Sequence, residues 1–173
     1  ADPVEGGSVG GVGFYDHGLD VTLEATANTG YTFVNWTEGG AEVSVAGSYT
    51  FTATADRSLV ANFSLNNYAI DAVADPVEGG TVIGTGDYVH GLDVTLEAAA
   101  SVGYTFVNWT EGGAEVSVAS SYTFTATADR SLGANFLLTL NPTELAKLVA
   151  SDAAAGDGFG RSVAVSGDTA VIG

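Results

Sequence analysis

The sequence predicts an all-β protein: two tandem small antiparallel β modules, sandwich or β-grasp-like, followed by a C-terminal β-hairpin tail. Three observations predict it. First, the chain repeats itself. Ala1-Asp2-Pro3-Val4-Glu5-Gly6-Gly7 returns at positions 74–80, an offset of 73 residues, and a gap-free alignment of residues 1–63 with 74–136 leaves about 53 of 63 positions identical. Second, apolar residues within each unit recur with a period of two, the spacing of a strand with one wet face. Third, Gly6-Gly7, His17-Gly18, Thr29-Gly30, Gly39-Gly40 and Ala55-Asp56 punctuate those runs at the intervals of short hairpins. The boundaries that follow are residues 1–66 for the first module, 67–139 for the second and 140–173 for the tail.

In chain order, Val21, Leu23 and Ala25 alternate with Thr22 and Glu24, which gives the first clear strand. The stretch Gly30-Tyr31-Thr32-Phe33-Val34-Asn35-Trp36-Thr37-Glu38-Gly39-Gly40 comes next and returns letter for letter at 103–113. It holds both tryptophans, so Tyr31, Phe33 and Trp36, with Tyr104, Phe106 and Trp109, are the expected core. Strict alternation sends Tyr31 and Phe33 to one face but Trp36 to the other. Either the strand is covered on both faces, or a bulge near Phe33–Val34 re-aims Trp36 into the same core. The bulge is favoured, because a unit of roughly 70 residues can hardly cover both faces of a central sheet. The indole N–H then needs an acceptor or a place at the core's rim. Tyr49, Phe51 and Ala53 alternate with threonines, and Leu59, Ala61 and Phe63 form the closing strand.

The second module opens with a run that the first lacks. In Asn67-Tyr68-Ala69-Ile70-Asp71-Ala72-Val73 the apolar Tyr68, Ile70 and Ala72 alternate with outward positions. The first unit starts at Ala1 without it, so this strand was cut away or is supplied from elsewhere. An open sheet edge is a template for another strand, and donation by a neighbouring molecule is one way to close it. Beyond Phe136 the repeat ends. Residues 143–150 read as one helical turn or two behind Asn141 and Pro142. The Val163/Val165 and Ala170/Ile172 alternations about Ser166-Gly167-Asp168 read as a hairpin.

Composition bounds the partners. Against 21 Asp and Glu stand 4 Lys and Arg, a net charge of −17, so the chain repels phosphate backbones and anionic lipid. Nucleic acid and membrane insertion are both excluded as partners. There is no cysteine, which removes disulfides, zinc–thiolate sites and thiol catalysis. There is no methionine and no long apolar run, and the chain reads as an interior piece of something longer.

The repeat resembles the divergent internalin-type B-repeat of bacterial surface proteins. The residues that carry the resemblance are Gly79-Gly80-Thr81-Val82, Gly91 through Val94-Thr95-Leu96-Glu97-Ala98, Gly103-Tyr104-Thr105-Phe106 to Trp109, and Leu132-Gly133-Ala134-Asn135-Phe136. The resemblance implies a small all-β module in stalks and adhesins, without catalytic residues. The tail resembles a partial FG-GAP repeat, the blade unit of integrin-like propellers, through Asp152, Gly156-Asp157, Phe159-Gly160, Ser162-Val163-Ala164-Val165 and Gly167-Asp168. For the tail the resemblance brings Asp152, Asp157 and Asp168 forward as calcium ligands, at spacings that depart from the D-x-D-x-D-G loop of calcium-holding blades. No other cofactor is expected.

Candidate chemistry elsewhere reads more simply as surface. His17 and His90 sit at equivalent turns beside glycine, with no G-x-S-x-G elbow in the chain. The pairs Glu38/Glu42 and Glu111/Glu115 offer carboxylates but no evident cleft between them. The glycine-rich Gly10-Gly11-Val12-Gly13 and Gly84-Thr85-Gly86 lack the lysine and helix of a phosphate loop. Asn35, Asn62 and Asn108 satisfy the N-glycosylation pattern, with Asn62 expected on the wet face and Asn35 beside the core aromatics. Tyr15, Tyr88 and Trp109 are candidates for stacking on a sugar, but their place in the heart of the periodic pattern reads more simply as core.

No catalytic residue is expected. The expected function is that of a structural repeat segment in an extracellular or surface-attached bacterial protein, a stalk or filament, assembling by strand complementation between copies of itself or further repeats of the parent chain, with the tail as donor. The alternative is an adhesin segment that binds a surface glycan or a protein.

Overall fold

The computed structural model describes residues 1–139, together with the backbone of two strands further on. Among the described residues there is no α-helix. Two short 3-10 turns, Val4–Gly6 and Val77–Gly79, occupy equivalent places in the two modules, just before Gly7 and Gly80.

The first module has six strands: β1 (Gly7–Gly10), β2 (Asp20–Ala27), β3 (Tyr31–Glu38), β4 (Ala41–Ser44), β5 (Ser48–Thr52) and β6 (Leu59–Leu65). They form two three-stranded sheets, β1-β2-β5 and β4-β3-β6, all pairs antiparallel. The second module has eight: β7 (Asn67–Asp75), β8 (Gly80–Ile83), β9 (Gly86–Val89), β10 (Asp93–Ala100), β11 (Tyr104–Glu111), β12 (Ala114–Ser117), β13 (Ser121–Thr125) and β14 (Arg130–Leu138). Here the sheets are β8-β10-β13 and β12-β11-β14-β7-β9. In each module the two sheets close on one shared core, so the architecture is a sandwich. The core of the second takes Val94 and Leu96 from one sheet and Ile70, Trp109, Leu132 and Phe136 from the other. In the tail, β15 (Val163–Ser166) and β16 (Thr169–Ile172) pair antiparallel as the expected hairpin.

The aromatic stretch contains the bulge. On β3 the register with β6 steps from Phe33↔Phe63 to Asn35↔Asn62, leaving Val34 unpaired and half exposed. The same step falls between Phe106 and Asn108 on β11. One extra residue returns Trp36 to the side of Phe33, and the indole reaches 0% exposure with its ring centroid 5.8 Å from that of Phe33. The Trp36 Nε1–H donates to the Ala46 carbonyl at 3.1 Å, and that of Trp109 donates to Ala119 at 3.0 Å. Each module therefore buries its largest side chain without orphaning a donor.

Two sequence expectations are corrected here. Asn35 does not lie beside the core aromatics: the bulge that turns Trp36 inward turns Asn35 out, onto the same face as Asn62. Gly6-Gly7 is also more than a turn. A Cβ on Gly6 would meet the Phe63 Cβ at 2.7 Å, so the absence of a side chain there lets that ring lie flat against the backbone. Gly79 stands in the same relation to Phe136.

The strand that opens the second module is not an edge. β7 lies inside its sheet, antiparallel to β9 and parallel to β14 over six partners from Arg130↔Ile70 to Asn135↔Asp75. Parallel neighbours need a long crossover, and here the whole module between first and last strand supplies it.

Candidate functional site

The feature that separates the modules is the flank of their closing strands. In the second module β14 has β11 on one side and β7 on the other. In the first, β6 has β3 on one side and, on the other, a single parallel bridge between Asp2 and Asn62. The Asp2 N–H donates to the Ala61 carbonyl and the Phe63 N–H donates to the Asp2 carbonyl, both at 2.8 Å. Strand alternation turns the N–H of Ala61, and both polar groups of Leu59, toward the same side. Among the described residues nothing pairs with them there.

Beyond this edge lies a groove of about 510 Å³, floored by Val21, Leu23, Trp36, Phe51 and Leu59 and rimmed by residues 11–15 and 55–58. The floor residues are the twins of Val94, Leu96, Trp109, Phe124 and Leu132, which in the second module pack against Ile70, itself 0% exposed. The groove is the place that β7 fills next door. Its effect is legible in burial: Leu132 is 2% exposed and Ala126 fully covered, whereas their twins Leu59 and Ala53 are only half buried. The far wall changes too. Residues 86–89 form β9 against β7, while the twin residues 13–16 form no strand, and Phe14 stands fully exposed.

One arginine sits at this flank in each module. Arg57 donates to both oxygens of Glu38, the shortest contact being 2.7 Å, and its guanidinium lies 4.3 Å from the Phe51 ring centroid. Arg130 repeats this with Glu111 at 2.6 Å and Phe124 at 4.0 Å. These hydrogen bonds raise the arginine pKa values and hold both glutamates below the ordinary carboxylate range. Two carboxylates singled out as acid–base candidates are thus locked in ion pairs. Their intended partners, Glu42 and Glu115, instead accept from the Asn35 and Asn108 side chains at 2.7 and 2.6 Å.

The junction between modules is one residue long. Asn66 separates β6 from β7. Its N–H donates to the Gly30 carbonyl, its carbonyl accepts from the His90 N–H, and its side-chain oxygen accepts from Thr32 at 2.7 Å. His90 is therefore a junction residue, its ring 5.9 Å from that of Tyr68 and facing Gly30; its Nδ1 is buried without a hydrogen-bond partner. Its twin His17 is exposed.

The remaining sequence candidates fall as follows. Asn35, Asn62 and Asn108 are half-buried members of amide ladders. Asn62 donates to the Asn35 side-chain oxygen at 2.8 Å, Asn135 does the same to Asn108 at 2.7 Å, and a sugar on the Asn35 or Asn108 nitrogen would displace its bond to glutamate. Trp109 is fully buried, in the core where the sequence places it, and cannot stack on a ligand. Tyr88 and Tyr15 are tethered through their hydroxyls to the carbonyls of Gly84 and Gly11, both at 2.7 Å. Asp152, Asp157 and Asp168 and the turn at 143–150 lie outside the described residues. Among the described residues no three His, Asp or Glu side chains converge as a metal site would require. The open flank is what sequence reasoning found only as a missing strand; the groove behind it and the junction role of His90 needed the structure.

The model of the Divergent InlB B-repeat domain matches residues 1–67 and again 70–139, and that of the FG-GAP repeat matches residues 142–173. No curated protein and no solved structure matches the chain. With two sandwiches of one plan under two matches that cover most of its length, the chain belongs to the divergent InlB B-repeat family, as a tandem pair followed by an FG-GAP repeat.

Proposed function

We propose that the chain is a non-catalytic structural segment of an extracellular bacterial surface protein, part of a stalk or filament whose modules are joined by strands handed from one to the next. The carrying observation is the run β6–Asn66–β7. The last strand of one module passes, through a single hydrogen-bonded residue, into the strand that completes the next. Such a connection fixes the spacing of neighbours, as expected of a tandem array with nearest-neighbour contacts. By the same scheme, the flank of β6 is the place where a strand handed over by a neighbouring repeat would seat, in the register that Asp2 already holds opposite Asn62. The hairpin tail is a poor donor, since its two strands already pair with each other. The high acidity supports the reading, because like charge keeps repetitive β surfaces apart in solution.

Sedimentation velocity and negative-stain electron microscopy test this on the 173-residue chain. Concentration-dependent, end-to-end association is the expected result. A monomer at every concentration, with β6 amides as protected from exchange as those of β14, overturns it. The adhesin alternative loses Trp109 to the core, and nothing in the sandwich faces favours it over the structural reading.

A further inference from the structure

Both modules end one of their sheets on the same strand. β5 flanks β1-β2-β5 and β13 flanks β8-β10-β13, each with a single neighbour, and both read Ser-Tyr-Thr-Phe-Thr. Toward β2, the Ala53 N–H donates to the Leu19 carbonyl at 2.7 Å, and the Gly47 carbonyl accepts from the Ala25 N–H at 2.9 Å. Alternation gives Tyr49 and Phe51 the same direction, and turns the backbone N–H and C=O of Ser48, Thr50 and Thr52 away from β2. The second module repeats this at Ala126 and Ser120, so that Ser121, Thr123 and Thr125 turn away from β10. Among the described residues no backbone group pairs with either row. A whole module follows β5 and a whole module precedes β13, and the edge is free in both.

Free edges are ordinarily blunted by charge, proline, a bulge or shortness. Other edges common to both modules follow that rule: β1, β4, β8 and β12 are four residues long, and β4 and β12 carry Glu42 and Glu115. β5 and β13 are five residues long, pair without a register step, and hold neither proline nor charge. Arg57 and Arg130 stack on the Phe51 and Phe124 rings but aim their charge at Glu38 and Glu111. The strand is also complementary to itself. Set antiparallel about Thr123, it pairs every residue: Ser121 with Thr125, Tyr122 with Phe124, and Thr123 with Thr123 of a second copy. Aromatic pairs on the inner face and hydroxyl pairs on the outer face are both favourable. Thr123 already bonds Thr95 at 2.8 Å, and Thr50 bonds Thr22 at 2.7 Å, so the outward threonine row would continue from copy to copy. The carboxylates of Asp93 and Glu97 lie one strand back. At about 4.8 Å per strand they would stand roughly 14 Å from those of the other copy, beyond a screening length of about 8 Å.

We propose that copies of this chain associate side by side through these edges, β13 against β13 and β5 against β5, antiparallel and in the register centred on Thr123 and Thr50. The partner is a second copy of the chain, and each contact is isologous. The association is lateral, separate from the joint at Asn66, and independent of what seats beside β6.

Because the chain holds no cysteine, single thiols test the register in the full 173-residue chain. Residues opposed in a hydrogen-bonded pair have Cα atoms about 5.5 Å apart, a separation that a disulfide spans. Under mild oxidation, Thr50→Cys and Thr123→Cys chains are each expected to form disulfide dimers roughly tenfold faster than Thr95→Cys, which lies on the same face one strand in, because pairing raises the effective thiol concentration. Ser121→Cys chains should not cross-link among themselves, and should do so when mixed with Thr125→Cys chains. A chain with Thr50→Lys and Thr123→Lys places like charges opposite each other and is expected to associate about fivefold more weakly in sedimentation equilibrium. Mixing it with the Thr50→Glu, Thr123→Glu chain should restore the association. Cross-linking at Thr123 no faster than at Thr95, self-linking of Ser121→Cys as ready as its linking to Thr125→Cys, or lysine variants that associate as the parent does, each overturns the inference. Any of these results beside persistent end-to-end association leaves the proposed function standing.

Discussion

Ile70 offers the sharpest test of what the extra strand does. It is fully buried where the groove of the first module stands open, on the floor formed by Val94, Leu96, Trp109 and Leu132. Ile70→Ala removes three carbons, about 2.4 kcal/mol at roughly 0.8 kcal/mol per buried methylene. A residual cavity between two hydrogen-bonded sheets adds to that, and buried isoleucine-to-alanine changes cost about 2–5 kcal/mol in all. Taking about 3 kcal/mol, a module of this size should lose roughly 12–24 °C in Tm. The assay is calorimetry paired with hydrogen exchange read by mass spectrometry, which assigns each transition to its module. In the unaltered chain the second module should melt last, and the substitution should bring its transition down toward that of the first. A change below about 1 kcal/mol, or an equal loss of protection in β2 and β3, would refute the claim that one strand accounts for the difference between the modules.

Three further outcomes follow from the same twinning. Leu132→Ala should cost about 2–5 kcal/mol and Leu59→Ala clearly less, because Leu59 is already half exposed; denaturant midpoints of the two variants decide it. Gly30 and Gly103 both sit at positive φ, +82 and +86, so alanine strains the backbone at either. Only at Gly30 would the new Cβ also strike the His90 ring, and X-ray scattering should show Gly30→Ala, but not Gly103→Ala, altering the two-module envelope. Glu111 is held below its ordinary value by hydrogen bonds from Arg130. Its stabilising effect is therefore full above the unfolded glutamate value of about 4.3 and fades as pH falls below it. Glu111→Gln should cost about 1 kcal/mol or less at pH 7 and nothing near pH 2, as urea titrations at the two values would show.

Much of this fold is legible in the sequence because its physics is local. A period of two in Val21, Leu23 and Ala25 puts one face inward whatever lies opposite, and the repeat doubles the signal. The bulge was legible from conflict, since Phe33 and Trp36 cannot share a face on a regular strand. What stayed hidden is what depends on partners distant in the chain. Nothing near Asn67 says that its strand will lie parallel to one that ends some seventy residues later, nor that it will sit between two neighbours. The outward place of Asn35 is a consequence of the same bulge: the extra residue that brings Trp36 inward leaves its neighbour facing out, opposite Asn62, which alternation alone does not convey. His90 reads as a turn residue in isolation. Its role at the junction exists only because Gly30 of the preceding module comes to lie against it.

The parallel pairing of β7 with β14 has a mechanical consequence. The chain enters the second module at the start of β7 and leaves it at the end of β14, so a pull on the two ends drags these neighbours past each other. Their hydrogen bonds, over six paired residues, then resist together in shear instead of opening one by one. Among the described residues of the first module, the pairing at this flank is limited to the two bonds at Asp2, so the 173-residue chain itself offers a comparison without the other pairs. Stretched singly in an optical trap, the first module is expected to yield at lower tension, and seating a strand in its groove should raise that threshold toward its neighbour's.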